Sequence, residues 1–450
     1  MNIGIVSLGC AKNLVDTEVM LGILDGSGHQ IVSDPSCADV IIVNTCAFID
    51  SAKEESIQTI LEMATFKEDR CRLLIVCGCL AERYRDEILK ELPEVDAVVG
   101  TGDYAQIAQV IRKAFSGERV VLYGHMNDPI SEENRKLVTP GYMAYCKIAE
   151  GCDNCCTYCI IPKLRGSYRS RSMEDIVAEA EALAKSGVRE LIVIAQDTSR
   201  YGIDLYGEYK LPELLTRLCA IEKLHWVRVL YLYPEMISDA LIEVFRKEEK
   251  LVKYMDIPIQ HADSQVLRRM GRHLSHDELV SLIQKLRERV PGIVLRTTVI
   301  AGFPGETEEQ FETLLSFVKQ MRFDRLGAFA YSQEDGTPAA KLPEQLPETV
   351  KEERASKILS VQEEISLSKQ MDKIDSLIEV LVEGYEEESL MYFGRSAGDA
   401  PEVDNTVYFV SEEEHISGEF VTVKILNADT YELVGSAVLE EKGATDEYTE

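Results

Sequence analysis

Four cysteines fall within eight residues near the middle of the chain: Cys152, Cys155, Cys156 and Cys159. Taken as C-x-x-C followed at once by C-x-x-C, they predict a compact zinc site with a structural role. Taken as Cys152-x-x-x-Cys156-x-x-Cys159, they predict three ligands of an iron–sulfur cluster, with Cys155 left over. The second arrangement is typical of redox chemistry. The spacing alone leaves both interpretations open.

Three other cysteines, Cys10, Cys46 and Cys79, each lie one or two residues past the C-terminal end of a predicted strand. The loops that leave these ends of parallel strands gather at one edge of an open α/β sheet, where ligands bind. We therefore expect the three thiols to converge there. The alternative is three unrelated buried thiols, since free cysteine is often buried. The other nearby cysteines are interpreted as ordinary thiols: Cys37, Cys71 and Cys77.

The first part of the chain alternates apolar runs with helical patterns, which predicts a parallel sheet covered on both faces. We assign residues 1–118 to this N-terminal domain and residues 119–143, which contain a polar stretch, to a linker. The predicted strands are 3–8, 39–44, 72–78 and 97–99, and the predicted helices are 14–24, 51–65 and 82–91.

A second α/β series follows, which predicts a partial (β/α)6 barrel over residues 144–370, shorter than a full eight-fold barrel. The cysteine cluster follows the first of its strands, at the end where barrel enzymes keep their chemistry. The last part of this series, 348–371, is predicted to be one helix. The predicted strands are 144–149, 190–195, 226–231, 254–257, 294–300 and 325–331.

Five short strands separated by turns follow from residue 376 onward, and they predict a small antiparallel β-barrel over residues 371–441. Residues 442–450 form an acidic tail. The predicted fold class is therefore α/β, with an open parallel sheet, a partial barrel and a small β-barrel in that order.

The chain of 450 residues carries a formal net charge of −30, and residues 371–450 alone contribute a net −17, from 21 acidic and 4 basic residues. Such a charge predicts no direct binding of nucleic acid. The sequence contains no run of about 18 apolar residues and its N-terminus lacks a basic region, so we expect no membrane span and no signal peptide. The expected location is the cytoplasm, where clustered cysteines more often bind metal than form disulfides.

Several motifs resemble those of the radical S-adenosylmethionine superfamily and, within it, the methylthiotransferases. The resemblance covers essentially all 450 residues: SLGCAKN, VNTCAF and VCGCL in the first domain, EGCDNCCTYCIIPKLRG and RTTVIAGFPGET in the second, and a TRAM-like barrel at the end. It implies that Cys152, Cys156 and Cys159 bind the radical cluster and that Cys155 is dispensable. It also implies that Cys10, Cys46 and Cys79 bind a second cluster.

The resemblance further implies the cofactors, namely two [4Fe–4S] clusters and S-adenosyl-L-methionine, together with a reduced electron donor. In this family the first cluster cleaves S-adenosylmethionine to a carbon radical that removes hydrogen from the substrate. The second cluster supplies sulfur and a second S-adenosylmethionine supplies the methyl group. The net reaction replaces C–H by C–S–CH3, while the protein positions the cofactors and excludes water and oxygen.

Other residues near the predicted barrel mouth are candidates for binding the cofactor, and each also has a structural interpretation. Tyr158 could pack on the adenosyl group or only shield the cluster, and Gln196 ends the second strand. The GFPGE loop could approach a ligand closely or only form a turn. The candidates in that loop are Gly302, Gly305 and Glu306. A basic patch of Arg165, Arg169 and Arg171 is interpreted either as a contact for an acidic substrate group or as a solvated loop, and His261 as structural.

Methylthiotransferases divide into those that modify adenosine in transfer RNA and those that modify an aspartate of a ribosomal protein. The run GRSAGDAPEVDN resembles the ribosomal-protein branch, whose substrate is small-subunit ribosomal protein twelve, modified at the β-carbon. An acidic barrel suits that basic protein. The alternatives are a transfer-RNA methylthiotransferase and, in another class, a non-catalytic iron–sulfur carrier.

Overall fold

The computed structural model describes residues 1–124, 126–128 and 135–438 of the chain. The predicted acidic tail, 442–450, lies outside the described residues. Within them the chain forms an open α/β sheet, a partial barrel and a small closed β-barrel. None of the helices in these ranges is both long and apolar enough to cross a membrane.

The N-terminal part is a six-stranded sheet in which every neighbouring pair is parallel. Its order is β2-β1-β3-β4-β5-β6, and the two central strands, VIIVNT and LLIVCG, are buried along their whole length. This is expected of strands covered by helices on both faces. The strands are β1 Asn2–Ser7, β2 Gln30–Ile31, β3 Val40–Thr45, β4 Leu73–Gly78, β5 Ala97–Val99 and β6 Val120–Leu122.

Two edge strands of this sheet were not predicted. Strand β2 has only two residues and no apolar run, and β6 lies within the segment that we assigned to the linker. Because β6 pairs with β5, the sheet extends to Leu122 and the predicted start of the linker at residue 119 is too early.

Within the described part of the chain, five α-helices cover the sheet. The predicted helix over 82–91 is interrupted at Arg85, which has a positive φ of 46°, a value that the interior of an α-helix does not allow. The helices are α1 Ala11–Gly26, α2 Asp50–Thr65, α3 Cys79–Tyr84, α4 Asp86–Glu91 and α5 Ile107–Phe115.

The central part contains the six predicted strands, all parallel to their neighbours, and confirms the partial barrel. They form two three-stranded sheets, β11-β10-β7 and β12-β13-β14, which are joined by a parallel bridge between Val227 and Leu251 and share one apolar core. A short hairpin, β8 with β9, flanks the cysteine loop. The strands are β7 Met143–Lys147, β8 Ala149–Glu150, β9 Arg169–Ser170, β10 Glu190–Ile194, β11 Trp226–Val229, β12 Tyr254–Asp256, β13 Val294–Ala301 and β14 Arg325–Ala330.

Helices surround this barrel, and the last of them runs as one continuous element toward the C-terminal part, as predicted. They are α6 Ile161–Arg165, α7 Met173–Ser186, α8 Ile203–Tyr206, α9 Leu211–Cys219, α10 Asp239–Lys247, α11 Ser264–Arg269, α12 His276–Arg289, α13 Glu308–Met321 and α14 Glu348–Met371.

The C-terminal part is a closed barrel of the five predicted strands in the order β15-β16-β17-β19-β18. Four of the pairs are antiparallel, but β17 and β19 are parallel. A closed ring of five strands cannot alternate direction throughout, so one parallel pair is required. The strands are β15 Leu377–Glu386, β16 Met391–Ser396, β17 Thr406–Val410, β18 Phe420–Ala428 and β19 Glu432–Ala437.

Buried ion pairs attach this small barrel to the central part. Glu190 accepts from Arg228 of its own domain at 2.8 Å and from Arg395 of the small barrel at 2.7 Å. Asp399 pairs with Arg325, and Asp404 accepts from the Tyr254 hydroxyl at 2.6 Å. The run GRSAGDAPEVDN is therefore a docking loop between domains rather than an exposed turn.

Candidate functional site

The predicted convergence of Cys10, Cys46 and Cys79 occurs at the C-terminal edge of the first sheet. Cys10 caps the N-terminus of α1, Cys46 follows β3, and Cys79 begins α3 directly after β4. These cysteines follow three adjacent strands. The approach is so close that a Cβ atom added to Gly9 would lie 2.8 Å from Cβ of Cys46. A residue larger than glycine is therefore excluded there.

Asn13 ties the three loops together. Its amide nitrogen donates to the carbonyl oxygens of Leu8, at 3.0 Å, and Thr45, at 2.9 Å, while its amide oxygen lies 3.8 Å from Sγ of Cys79. Asn13 is fully buried. It fixes the loops that carry the cysteines whether or not a ligand is bound.

The three thiols of this set have different electrostatic surroundings. The protein atoms that crowd around Cys10 would raise its thiol pKa, but Lys12 and Arg165 outweigh them and lower the pKa below its usual value. Burial raises the pKa of the Cys46 thiol, and it raises that of Cys79 to about 12. The thiolate is the metal ligand, so binding at Cys46 and Cys79 depends on a positive group that replaces the proton.

The second set lies in the loop that follows β8. The Cys152 amide donates to the Gly166 carbonyl at 3.1 Å, and the Cys159 amide donates to the Cys156 carbonyl at 3.1 Å, which folds the loop onto itself. Burial raises the thiol pKa of Cys152 to about 11 and also raises that of Cys159. Cys155, in contrast, is exposed, and its Sγ lies 3.8 Å from the Asp153 carbonyl oxygen.

The two interpretations of the spacing require different arrangements of the donor atoms. Within the described ranges, no three or more side chains of His, Cys, Asp or Glu are close enough to share one metal ion. A zinc site needs its ligands around a single centre, whereas a four-iron cluster binds each thiolate at a different iron and so keeps the sulfur atoms apart. The assignment of each set of three thiols to a four-iron cluster stays a prediction.

Two aromatic rings and one arginine surround Cys156, and the sequence indicated only one of them, Tyr158. The Tyr233 hydroxyl lies 3.2 Å from Sγ of Cys156, and the guanidinium of Arg272 lies 3.7 Å from the centre of the Tyr233 ring. Arg272 is buried and pairs with Glu235 at 3.3 Å. Tyr233 comes four residues after the end of β11, so the rule that located the cysteines at strand ends could also have indicated it.

Burial is the main reason why the pKa of the Tyr158 hydroxyl lies well above its usual value, and Cys156 raises it further. The adjacent Thr157 is held on both sides, since its amide donates to the Met270 carbonyl at 2.9 Å and its carbonyl accepts from Ala339 at 2.8 Å. The loop after α11 thus packs directly on the cysteine loop. Gly271 has φ of 76°, and a Cβ there would lie 2.5 Å from the Cys155 carbonyl oxygen.

Gln196 lies two residues past the end of β10, not within the strand as predicted, and its role in cofactor binding stays a prediction. Its amide nitrogen donates to Glu150, and its buried amide oxygen has no hydrogen-bond partner in the described part of the chain. Glu150 precedes the cysteine loop. Burial would raise the pKa of its carboxyl, but Lys147 and Arg165 outweigh burial and hold the pKa far below its usual value.

The three candidates of the GFPGE loop have full sets of protein contacts. Glu306 accepts from the Gly302 amide at 2.9 Å and from Arg354 at 2.8 Å, and His261 lies 3.4 Å from it. A Cβ on Gly302 would collide with Lys351, and one on Gly305 would collide with a side chain of α11. These contacts account for the residue types without a ligand, and a role in cofactor binding stays a prediction.

The basic patch is not a solvated loop. Arg165 is only 2% exposed and pairs with Asp16 at 2.6 Å and with Glu150 at 3.2 Å. Arg171 is buried and pairs with Glu179 at 2.7 Å. These carboxylates already satisfy Arg165 and Arg171, which are therefore not free contacts for an acidic substrate. Arg169 is partly buried and donates to the Ser167 carbonyl at 2.5 Å.

Asp16, Lys147, Glu150 and Arg165 form one buried charge network between α1 and the central domain. Lys147 donates to Asp16 at 2.5 Å and to Glu150 at 2.8 Å. Arg165 also donates to Asn13 and lies 3.7 Å from Sγ of Cys79. The network therefore connects the base of one cysteine set to the strand that leads into the other.

Comparison with known families matches three regions. Residues 2–100 match a family described as uncharacterized protein family UPF0004, residues 146–318 match the radical SAM superfamily, and residues 376–438 match the TRAM domain.

Full-length relatives agree with this order of domains. The chain is 51% identical to the ribosomal protein uS12 methylthiotransferase RimO of Acetivibrio thermocellus, over 97% of this chain and 98% of that one. It is 50% identical to the protein of the same name from Thermoanaerobacter sp., over 96% and 99%, and 48% identical to that of Clostridioides difficile, over 98% and 99%.

Among solved structures, the radical S-adenosylmethionine methyltransferase TsrM from Kitasatospora setae has a TM-score of 0.56 at 14% identity, covering 75% of this chain and 76% of that one. The cobalamin-dependent S-adenosylmethionine radical enzyme OxsB has a TM-score of 0.52 at 12% identity, covering 81% and 56%. At these identities the likeness shows the fold.

Proposed function

Because the chain belongs to the ribosomal protein uS12 methylthiotransferase family, RimO, we propose that it adds a methylthio group to the β-carbon of an aspartate in that protein. The observation that carries the proposal is the pair of separate three-thiol sets, held in fixed relation by the buried network around Arg165. One set lies at the barrel mouth and the other at the edge of the first sheet.

Cys152, Cys156 and Cys159 would hold a [4Fe–4S] cluster that leaves one iron open for S-adenosylmethionine. When bound, this pair supplies the one-electron chemistry that removes hydrogen from an unactivated carbon. The chain supplies the surroundings. Tyr158 and Tyr233 lie beside the half-buried Cys156, and Arg272 adds a buried positive charge beside a site whose thiolates are negative.

Cys10, Cys46 and Cys79 would hold a second [4Fe–4S] cluster, which supplies sulfur. Arg165 lies against Cys79, and Lys12 follows Cys10 by two residues, so two positive side chains adjoin three thiolates. The electrons come from a separate reduced donor. An enzyme that modifies a ribosomal protein works in the cytoplasm, where such thiols stay reduced.

An acidic end of the small barrel would contact the basic ribosomal protein. Glu386 at the end of β15 and Glu387 and Glu388 in the following turn are exposed. The pairing of Tyr392 with Phe409 brings this turn close to the end of β17. The loop that begins there continues the negative charge. The exposed acidic residues of that loop include Glu412 and Glu414. Complementary charge raises the rate of association and selects the partner.

The transfer-RNA alternative is less consistent with this surface, because an RNA-binding domain needs basic residues. The carrier alternative does not account for a six-stranded partial barrel with a cysteine loop at its mouth. The test is an anaerobic reaction of the reconstituted enzyme with uS12 and, separately, with transfer RNA, analysed by mass spectrometry. A mass gain of one methylthio group on an aspartate of uS12 supports the proposal, whereas a gain on transfer RNA alone overturns it.

A further inference from the structure

Lys12 is a buried cation without an acidic partner. Its side chain is 8% exposed, and its Nζ lies 3.4 Å from the centre of the Tyr231 ring. Among the described residues it forms no ion pair with any Asp or Glu, while the other buried cations of the same junction, Lys147 and Arg165, share Asp16 and Glu150. The ring face offers a cation–π contact, but a buried ammonium ordinarily also has an anion.

The position of Lys12 indicates where an anion for its ammonium group would come from. Lys12 follows Cys10 by two residues on the first sheet's edge, and Tyr231 follows the end of β11 by two residues at the barrel mouth. Tyr231 is held there with a positive φ of 64°, and its amide donates to Asp256 at 3.2 Å. A non-glycine residue in this conformation is uncommon and is maintained only by surrounding contacts. Lys12 therefore connects the edge of the first sheet, where Cys10 lies, to the end of β11 in the barrel.

We propose that Lys12 binds the carboxylate of the substrate aspartate. The inference rests on the proposed function and extends it to a residue that selects and positions the substrate. The carbon that receives sulfur is bonded directly to this carboxylate group, so an ammonium that holds the carboxylate also fixes the direction of the C–H bond. Adenosine of transfer RNA offers no carboxylate at the modified carbon, so the same lysine discriminates between the two substrate classes.

A competing role for Lys12 is to stabilise the thiolate of Cys10 as a ligand of the neighbouring cluster. The experiment below distinguishes this role from binding of the substrate carboxylate. Lys12→Met removes the charge and keeps a chain of similar length. Lys90→Met, at an exposed position of α4, is the matched control. Each variant is reconstituted and measured for iron content and for cleavage of S-adenosylmethionine without substrate. Its affinity is then measured for uS12 and for uS12 in which the modified aspartate is replaced by asparagine.

Compared with wild type at matched iron content, Lys12→Met is expected to lower the affinity for uS12 about tenfold or more, as expected for a lost charge-assisted hydrogen bond. With the asparagine form of uS12, Lys12→Met and wild type should bind alike, because the partner of the lysine is gone. An equal loss of affinity for both forms of uS12, measured at matched iron content, overturns the proposal. If wild type itself neither binds nor modifies uS12, the proposed function fails instead.

Discussion

The guanidinium of Arg165 lies 3.7 Å from Sγ of Cys79, although the two residues belong to different domains. Arg165 ends the short helix α6 after the second cysteine loop, and Cys79 begins α3 in the first domain. The same guanidinium pairs with Asp16 and Glu150, so one side chain joins the two halves of the site and neutralises both carboxylates. The two cysteine sets are thus held by a common buried structure.

Replacing Arg165 should destabilise the protein before any cofactor is bound. Among the described residues, Arg165→Met leaves Asp16 and Glu150 with only Lys147 as a cationic partner, and breaking a buried ion pair costs about 3–5 kcal/mol. Urea unfolding of the apo-protein measures the change in the free energy of unfolding. The matched control is Arg217→Met on α9, where an exposed pair with Glu213 should cost less than about 1 kcal/mol. Equal stability of the two variants would show that the network does not hold the domains.

The attachment of the small barrel should weaken in acid. Burial alone would raise the pKa of the Asp399 carboxyl, but Arg325 and Lys373 outweigh it and lower that pKa. A carboxyl whose pKa is lowered in the folded state stabilises the fold at pH values above its ordinary pKa of about 4. This stabilisation is lost as the pH falls below that value and the carboxylate takes up a proton.

The comparison variant for this effect is Asp399→Asn, which resembles the protonated carboxyl at every pH. Near neutral pH the wild type should be more stable in urea than this variant by about 3 kcal/mol. Between pH 5 and the lowest pH at which the protein stays soluble, the difference should shrink. A difference that stays constant with pH would mean that Asp399 does not titrate with unfolding.

Cys155→Ala should bind as much iron as wild type and keep its activity. Cys155 is exposed and its thiol is turned toward a backbone carbonyl, while Cys156 lies against Tyr233. Cys156→Ala is the matched variant and should lose about half of the iron, since one of two clusters then lacks a ligand. If Cys155→Ala loses the iron and Cys156→Ala keeps it, then Cys155 and not Cys156 is the cluster ligand.

The acidic turn of the small barrel should contribute to substrate affinity. Changing Glu386, Glu387 and Glu388 to Lys should weaken binding of uS12, and high salt should weaken wild-type binding, because the Debye length falls toward about 3 Å at about 1 M. Titration of uS12 by fluorescence or calorimetry measures both effects. Reversal of three exposed acidic residues of the first domain is the control, at positions Glu87, Glu91 and Glu94.

The acidic residues of the docking loop should not be included among the residues tested for substrate binding. From sequence, Asp399 and Asp404 belong to the same run of exposed-looking charge as Glu402, but both side chains are buried in contacts with the central domain. Their reversal would undock the barrel and mimic a loss of substrate binding. If the Glu386–Glu388 variant, folded as judged by circular dichroism, binds uS12 as wild type does, the acidic surface has only a solubilising role.

The positions of the cysteines could be predicted from sequence because each depends on a local rule. An apolar run ends, the loop starts at the sheet edge, and the next residue or two is a cysteine, as at Cys46 and Cys79. The interpretation of Arg165 failed for the opposite reason. Its partner Asp16 is 149 residues away and becomes a neighbour only when two domains dock, which no periodicity indicates.

Glu306 is a second residue whose partner could not be predicted from sequence, because that partner is distant along the chain. The motif GFPGE identified a loop at a strand end, but its carboxylate is committed to Arg354 of α14, an element 48 residues further along. Tyr233 was missed although it follows a strand end, because aromatic residues are common in cores and its type alone indicates no contact with a thiol.

The central claim is that the chain holds two clusters, each on three cysteines with a different task. The direct measurement is iron content and S-adenosylmethionine cleavage after anaerobic reconstitution of wild type and two triple alanine variants. Replacing Cys152, Cys156 and Cys159 should remove about half of the iron and abolish cleavage, and replacing Cys10, Cys46 and Cys79 should remove the other half while some cleavage remains. Iron content that stays at the wild-type value in either triple variant would contradict the account.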